Sequence, residues 1–223
     1  MDDEFVIESP TDQERGLLEI LARGYTEEAE LKASLEARRL PTEGFEVALA
    51  QLDEHELIEC DDRRHLLSPD EFERFDRQLI YFADLAGPGQ AAEELQQRLL
   101  QAKVIVLGCG GLGSWAASAL ACAGVGTLVL IDDDSVELSN LNRQLLFCEA
   151  DIGQPKIEAA SAALGRHNPA LDLIRIRRQI GAVADLEDLL EGVDLLVLTA
   201  DSPPHQLPRW INQACLEAGV PYI

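Results

Sequence analysis

An α/β fold built on a mainly parallel sheet is what this 223-residue chain predicts, and three observations in its C-terminal half carry the prediction. Residues 104–107, 128–131 and 195–198 are short runs that are apolar at every position, and 171–177 is a fourth strand candidate. Helical patterns over 112–123, 155–167 and 205–218 alternate with these strands. A glycine-rich turn follows the first strand. Strands apolar on both faces need cover on both sides, which is the arrangement of a parallel sheet wrapped by helices.

The N-terminal segment reads differently. Thr11-Asp12-Gln13-Glu14 is a capping box, and Leu17, Leu18, Ile20 and Leu21 follow at helical spacing, with Gly24 as the stop. Leu31 and Leu35 share one face of a second helix. Pro41-Thr42 is read as opening a third, whose apolar stripe is Phe45, Leu49 and Leu52. Two short runs, 57–60 and 63–67, flank Asp61-Asp62 as a hairpin. Three helices and a hairpin make residues 1–70 a small winged-helix-like α+β domain. Residues 71–102 read as a connector, broken at Gly87-Pro88-Gly89 before a short helix with Leu95 and Leu99. Residues 103–223 form the α/β domain. Val220-Pro221-Tyr222-Ile223 reads as a strand just beginning, so the α/β domain is expected to be incomplete at its C-terminus.

Charge narrows the function classes. The chain holds 41 acidic and 18 basic residues, a formal net charge of −23. That balance argues against nucleic acid and anionic membrane as partners, though an acidic surface also serves solubility alone. Residues 1–102 carry 26 acidic and 10 basic residues, against 15 and 8 over 103–223. The first half is therefore the expected partner-binding half, and a peptide suits it better than DNA. No stretch approaches the roughly 18 apolar residues of a membrane span. The acidic start Met1-Asp2-Asp3-Glu4 is unlike a signal peptide, so a cytoplasmic location is expected. Five cysteines without a CxxC pair (Cys60, Cys109, Cys122, Cys148 and Cys215) read as reduced thiols, not as a disulfide framework or a zinc site. The four histidines lack metal-ligand spacing.

The candidate site is assembled from ordered motifs. Gly108-Cys109-Gly110-Gly111-Leu112-Gly113 lies between the first strand and a helix. Its glycines permit a tight turn and close approach of backbone to phosphate at a helix N-terminus. Alone it fits NAD, FAD, ATP or S-adenosylmethionine. Asp132 ends the second strand, where a dinucleotide fold places an acid against ribose hydroxyls. Ser139-Asn140-Leu141-Asn142-Arg143-Gln144 and Gly153-Gln154-Pro155-Lys156 then add amide and cationic side chains that a triphosphate needs and a nicotinamide cofactor does not. Asp201 stands just past the fourth strand, where a carboxylate can hold Mg²⁺ against phosphates or, alternatively, cap the next helix. Cys109 is given no nucleophilic role.

Together with Arg74-Phe75-Asp76-Arg77-Gln78 and Ile131-Asp132-Asp133-Asp134, these motifs resemble the ThiF/MoeB superfamily, the bacterial relatives of ubiquitin-activating enzymes, from about Arg74 to the end. The segments 74–79, 106–111, 200–203 and 210–223 are most similar to its MccB-type branch, the peptide-adenylating enzymes of microcin C biosynthesis. The resemblance implies a Rossmann-like adenylation domain that uses ATP and Mg²⁺ to activate a carboxylate. It implies nucleotide contacts from Gly108, Gly110, Gly111, Gly113, Asp132, Asp134, Asn140, Arg143, Gln144 and Lys156, with Mg²⁺ on Asp201. It makes Arg77, Arg143, Lys156 and Asp201 the catalytic set. Arg77 would be an arginine finger reaching a neighbouring subunit, which implies a homodimer. The MccB-type branch implies a precursor peptide as partner, held by residues 1–70. Many sulfur-carrier activators read Thr-Asp-Asn where this chain has Ala200-Asp201-Ser202, which favours the peptide branch. Any family zinc cysteines would lie beyond Ile223.

Overall fold

The structure, a computed structural model, describes residues 10–22, 28–54, 58, 66–86 and 91–223. The chain divides into two compact units, residues 1–64 and 65–223.

The described residues of the first unit are mainly helical. α1 (Asp12–Leu21) begins in the expected capping box, with Thr11 and Glu14 exchanging backbone and side-chain bonds. α2 (Glu28–Ala37) and α3 (Phe45–Glu54) follow among its described residues. Leu17, Ile20, Leu31, Leu35, Phe45 and Leu52 form its core. The third helix starts later than Pro41-Thr42. Gly44 sits at φ 80°, a left-handed conformation that no helix can pass through, so the helix opens at Phe45. Pro41 instead presents its carbonyl to the Gln13 side-chain amide at 2.7 Å. Most of the expected hairpin, and the expected stop at Gly24, lie outside the described residues.

The second unit opens with two helices in the segment read as a connector. α4 (Pro69–Leu85) is capped by Ser68 and Glu71 and has Pro69 in its first turn. α5 (Ala92–Gln101) packs beside it. Then come β1 (Lys103–Leu107), α6 (Gly111–Ala123), β2 (Thr127–Ile131), α7 (Lys156–His167), β3 (Asp172–Ile176), β4 (Leu195–Leu198) and α8 (Leu207–Ala218). Leu171 and Arg177 fall just outside the third strand, and Pro155 just before α7.

The four strands are parallel, in the order β3-β2-β1-β4. Alternate residues of each strand serve opposite faces. Val104, Val106, Leu128 and Leu130 pack against Ala117, Ala121, Ile157, Ala160 and Leu164 of α6 and α7. Ile105, Leu107, Val129 and Ile131 pack against Leu186, Leu189, Leu207 and Ile211 on the other side. Apolar residues are therefore required at 104–107 and 128–131 of the two central strands: a polar residue there would be buried without a partner. The last residues add to the sheet. Tyr222 bridges Leu196 in parallel, and Leu198 N–H donates to the Ile223 carbonyl at 2.8 Å, so these residues run along the edge of β4. Among the described residues no helix is long and apolar enough to cross a membrane.

The strand order fixes where a ligand can sit. β2 and β3 extend the sheet to one side of β1, while β4 lies on the other. The loops leaving β1 and β4 therefore diverge and open a crevice at the carboxyl ends of these strands.

Candidate nucleotide site

The glycine loop divides into two kinds of position. Gly108 adopts φ 99°, and a Cβ there would stand 2.6 Å from the Ala200 backbone nitrogen. A Cβ on Gly113 would overlap the Gly108 carbonyl oxygen. These two glycines exist for turning and packing. Gly110 and Gly111 differ. A Cβ on Gly110 would come no closer than 4.0 Å to the Gln144 amide nitrogen, and one on Gly111 no closer than 3.8 Å to Arg143. Here the backbone is open, at the N-terminus of a 13-residue helix whose first N–H groups have no intrahelical acceptor.

Across that opening stand Arg143 and Gln144. The Arg143 guanidinium donates to the Ser139 carbonyl at 2.8 Å and to Asn142 Oδ1 at 3.1 Å, and the side chain is otherwise exposed. Gln144 is 3% exposed and its Oε1 has no hydrogen-bond partner. A buried amide oxygen lacking a donor beside an open loop is an acceptor placed for a ligand hydroxyl or N–H group. Asn140 is also buried, but its amide is used within the loop: Oδ1 accepts the Glu137 N–H at 3.0 Å.

The acidic strand end is tied to both neighbours. Asp132 accepts the Cys109 N–H at 2.6 Å and the Asp134 N–H at 2.8 Å. Asp134 accepts from Lys156 Nζ at 2.7 Å, and Lys156 is only 8% exposed. The antiparallel bridge between Ser135 and Pro155 draws the two segments together, which is why residues 22 apart in sequence meet. A buried ammonium needs such a partner, and an exposed carboxylate beside an open crevice is one a phosphate could join or replace. Burial, reinforced by the Asp132 carboxylate and partly opposed by Lys156, pushes the Cys109 thiol far above its ordinary range. Cys109 is thus a neutral packing group in the turn.

Asp201 follows β4 and is exposed, without a hydrogen bond or ion pair among the described residues. It does not cap the next helix, whose N-cap is Gln206. Ala200 N–H donates to the Leu107 carbonyl at 2.8 Å, so the Asp201 segment lies against the start of the glycine loop.

Arg77 is elsewhere. It lies on α4, 92% exposed, paired loosely with Asp76 at 3.6 Å. The rest of its motif docks the helix. Phe75 is buried and lies against Gly124, whose Cβ would meet the ring at 2.5 Å. Gln78 donates to Gln96 Oε1 and to the Ala123 carbonyl at 2.9 Å, and Gln96 donates to that same carbonyl at 3.1 Å. Arg74 donates to the His167 carbonyl at 2.6 Å, at the C-terminus of α7. All these anchors lie at the carboxyl ends of α6 and α7. The glycine loop is at the opposite end of α6, about 18 Å away at 1.5 Å per residue. The structure therefore brings together the glycine loop, Arg143, Gln144, Asp132 and the Asp201 segment, with Lys156 and Asp134 alongside, and leaves Arg77 outside its own crevice.

Sequence reasoning missed Thr199. Its Oγ1 lies 2.6 Å from the Gly108 carbonyl oxygen and 3.0 Å from that of Leu107. A hydroxyl immediately after an apolar strand, on the ligand side of the sheet, is the signal that could have found it. It also missed the docking roles of Arg74, Phe75 and Gln78.

Comparison with known proteins agrees with this architecture. The ThiF family matches residues 75–223. The sulfur carrier protein ThiS adenylyltransferase of Escherichia coli (strain K12) is 39% identical over 153 residues, 69% of this chain and 57% of that protein. The crystal structure of PaaA aligns with a TM-score of 0.75 at 30% identity, over 98% of this chain and 64% of that one. E. coli MccB, solved with ATP, aligns with a TM-score of 0.64 at 32% identity, over 85% of this chain and 54% of that one. It is also solved with AMPCPP and MccA. The chain thus spans less than two thirds of each of these proteins. With two thirds of its length inside one family and the fold shared with the solved structures of PaaA and MccB, the chain belongs to the ThiF family.

Proposed function

We propose that this protein adenylates a carboxylate with ATP, releasing pyrophosphate, and that the carboxylate belongs to a ribosomally made precursor peptide held by residues 1–70. The observation that carries the reading is the open Gly110–Gly111 backbone facing Arg143 and a buried, unpartnered Gln144 amide oxygen, beside Asp201 in the β1–β4 crevice. These residues fit a nucleotide triphosphate: the loop offers N–H groups, Arg143 a cation, and Asp132 an acceptor for ribose hydroxyls. ATP supplies the electrophilic α-phosphorus and the leaving pyrophosphate. Lys156 lies in the same set, sharing or exchanging its Asp134 partner for phosphate oxygens. Asp201 is free to bind Mg²⁺. Asn140 holds the loop that carries Arg143. No protein nucleophile is needed, since positioning and fixed charge suffice for attack by a carboxylate. Arg77 adds a cation to a neighbouring subunit's site in a homodimer, and the reaction takes place in the cytoplasm.

A second reading is favoured by the similarity to ThiS adenylyltransferase: activation of a carrier protein's C-terminus in place of a short peptide. ATP–pyrophosphate exchange separates the two. Exchange that depends on short peptides encoded beside the gene supports the peptide reading. Exchange that depends only on a carrier protein replaces it. Asp201→Asn is expected to lower exchange at least about a hundredfold while leaving the melting temperature unchanged. Full activity in that variant removes Asp201 from the metal site.

A further inference from the structure

We infer that Thr199 is a positioning residue of the nucleotide site: its hydroxyl sets the Gly108–Cys109 peptide plane and so registers the glycine loop against the segment that carries Asp201. This rests on the ATP reading above.

Gly108 and Cys109 are joined by one planar peptide group. In a trans peptide the C=O and the following N–H point in opposite directions. Here the two ends of that single plane are held by different elements. The Gly108 carbonyl faces Thr199 Oγ1 at 2.6 Å, and the Cys109 N–H faces Asp132 Oδ2 at 2.6 Å. The hydroxyl has one proton, and the shorter of its two contacts is the one to Gly108. The main chain makes the same junction: Thr199 and Ala200 N–H groups both donate to the Leu107 carbonyl, at 2.9 and 2.8 Å. That carbonyl is the last on β1, so the pair joins the ends of the two strands that border the crevice.

Sterics close the arrangement. The Gly108 carbonyl is pressed against Gly113, where any Cβ would collide with it, and such a Cβ would also lie 2.9 Å from Thr199 Oγ1. Among the described residues, Thr199 Oγ1 is the donor that this carbonyl is given. Without the hydroxyl it is left unsatisfied in a partly buried position, and the cheapest relief is rotation of the peptide plane. That rotation breaks the Cys109–Asp132 bond and moves Gly110 and Gly111, whose N–H groups are the proposed phosphate contacts. Thr199 is assigned no nucleotide contact of its own and acts through the loop.

The test is calorimetric MgATP binding by the full-length protein as wild type, Thr199→Val and Thr199→Ser, with thermal melts of each. Valine keeps the shape and removes the donor; serine keeps the donor. Expected is a loss of MgATP affinity of about tenfold or more in Thr199→Val and of less than about threefold in Thr199→Ser, with both melting close to wild type. In exchange assays the valine defect is expected in KM for ATP more than in kcat. Wild-type affinity in Thr199→Val overturns the inference, as does a serine variant as weak as the valine one. If the valine variant fails to fold, the serine variant decides on its own: a tenfold loss there overturns it. Wild type that binds no MgATP overturns the nucleotide reading itself, and the inference falls with it.

Discussion

Cys109 stands in the middle of the glycine loop, where a thiol invites a catalytic reading, and its surroundings refuse one. It is 1% exposed, and burial beside Asp132 holds it protonated. Cys122 and Cys148 are exposed. Iodoacetamide at pH 8 is therefore expected to label Cys122 and Cys148 in the native protein and to spare Cys109, as read by peptide mass spectrometry. Cys109→Ala is expected to keep exchange activity within about threefold. Labelling of Cys109 as fast as Cys148 would mean that the loop opens in solution. The raised value also has a sign for stability. An unfolded chain ionises this thiol from its ordinary 9.0 upward and the folded chain does not, so stability is full below pH 9 and falls as the pH rises beyond it. Melting between pH 8 and 10 should drop further for wild type than for Cys109→Ala. At this scale Asp132 was legible because the end of an apolar strand fixes it. Thr199 was not, because its role depends on a contact with a residue 91 positions away that only strand order creates.

Elements were legible to the extent that their signals are local. The four strands of the sheet were readable within one residue: residues 104–107 and 128–131 are buried on both faces and cannot tolerate a polar interruption, β4 is apolar throughout, and the edge strand β3 carries Asp172 and Arg175 among its apolar residues. The start of α3 was not, since Pro41 reads as a helix opener while Gly44, three residues on, takes a left-handed φ that forbids one. The segment around Arg74 read as a charged connector because its apolar residues are few, yet Phe75, Leu79 and the Gln78–Gln96 pair suffice to seat α4 on the end of α6. The glycine loop yields a prediction at this scale. Gly113→Ala puts a methyl on the Gly108 carbonyl and should destabilise the domain by about 1–3 kcal/mol or more, visible as a lowered melting temperature. Gly111→Ala meets only Arg143 at 3.8 Å and should melt like wild type. Its methyl lies on the open face, so MgATP affinity should fall instead. A Gly111→Ala protein with wild-type affinity would remove that backbone from the nucleotide contact.

For the whole molecule the decisive feature is that one motif faces away from the site it is proposed to serve. Arg74, Phe75 and Gln78 fix α4 to the carboxyl ends of α6 and α7, so Arg77 is held in solvent at the end of α6 remote from the glycine loop. Swinging the arginine inward would require undocking the helix, stripping the buried Gln96 Oε1 of its Gln78 donor and pulling Phe75 out of its packed position. The arginine therefore serves another copy of the chain or none. In a two-fold dimer each crevice would take its Asp201 from one subunit and its Arg77 from the other. Arg77→Ala and Asp201→Asn would each be inactive alone. Unfolded together and refolded at equal concentration, they should form mixed dimers in half of the population, each with one intact and one doubly defective site. Exchange activity should then return to about a quarter of wild type. An arginine that works within its own chain gives no recovery, because neither kind of subunit carries both groups. An arginine with no part in the reaction leaves Arg77→Ala fully active before any mixing.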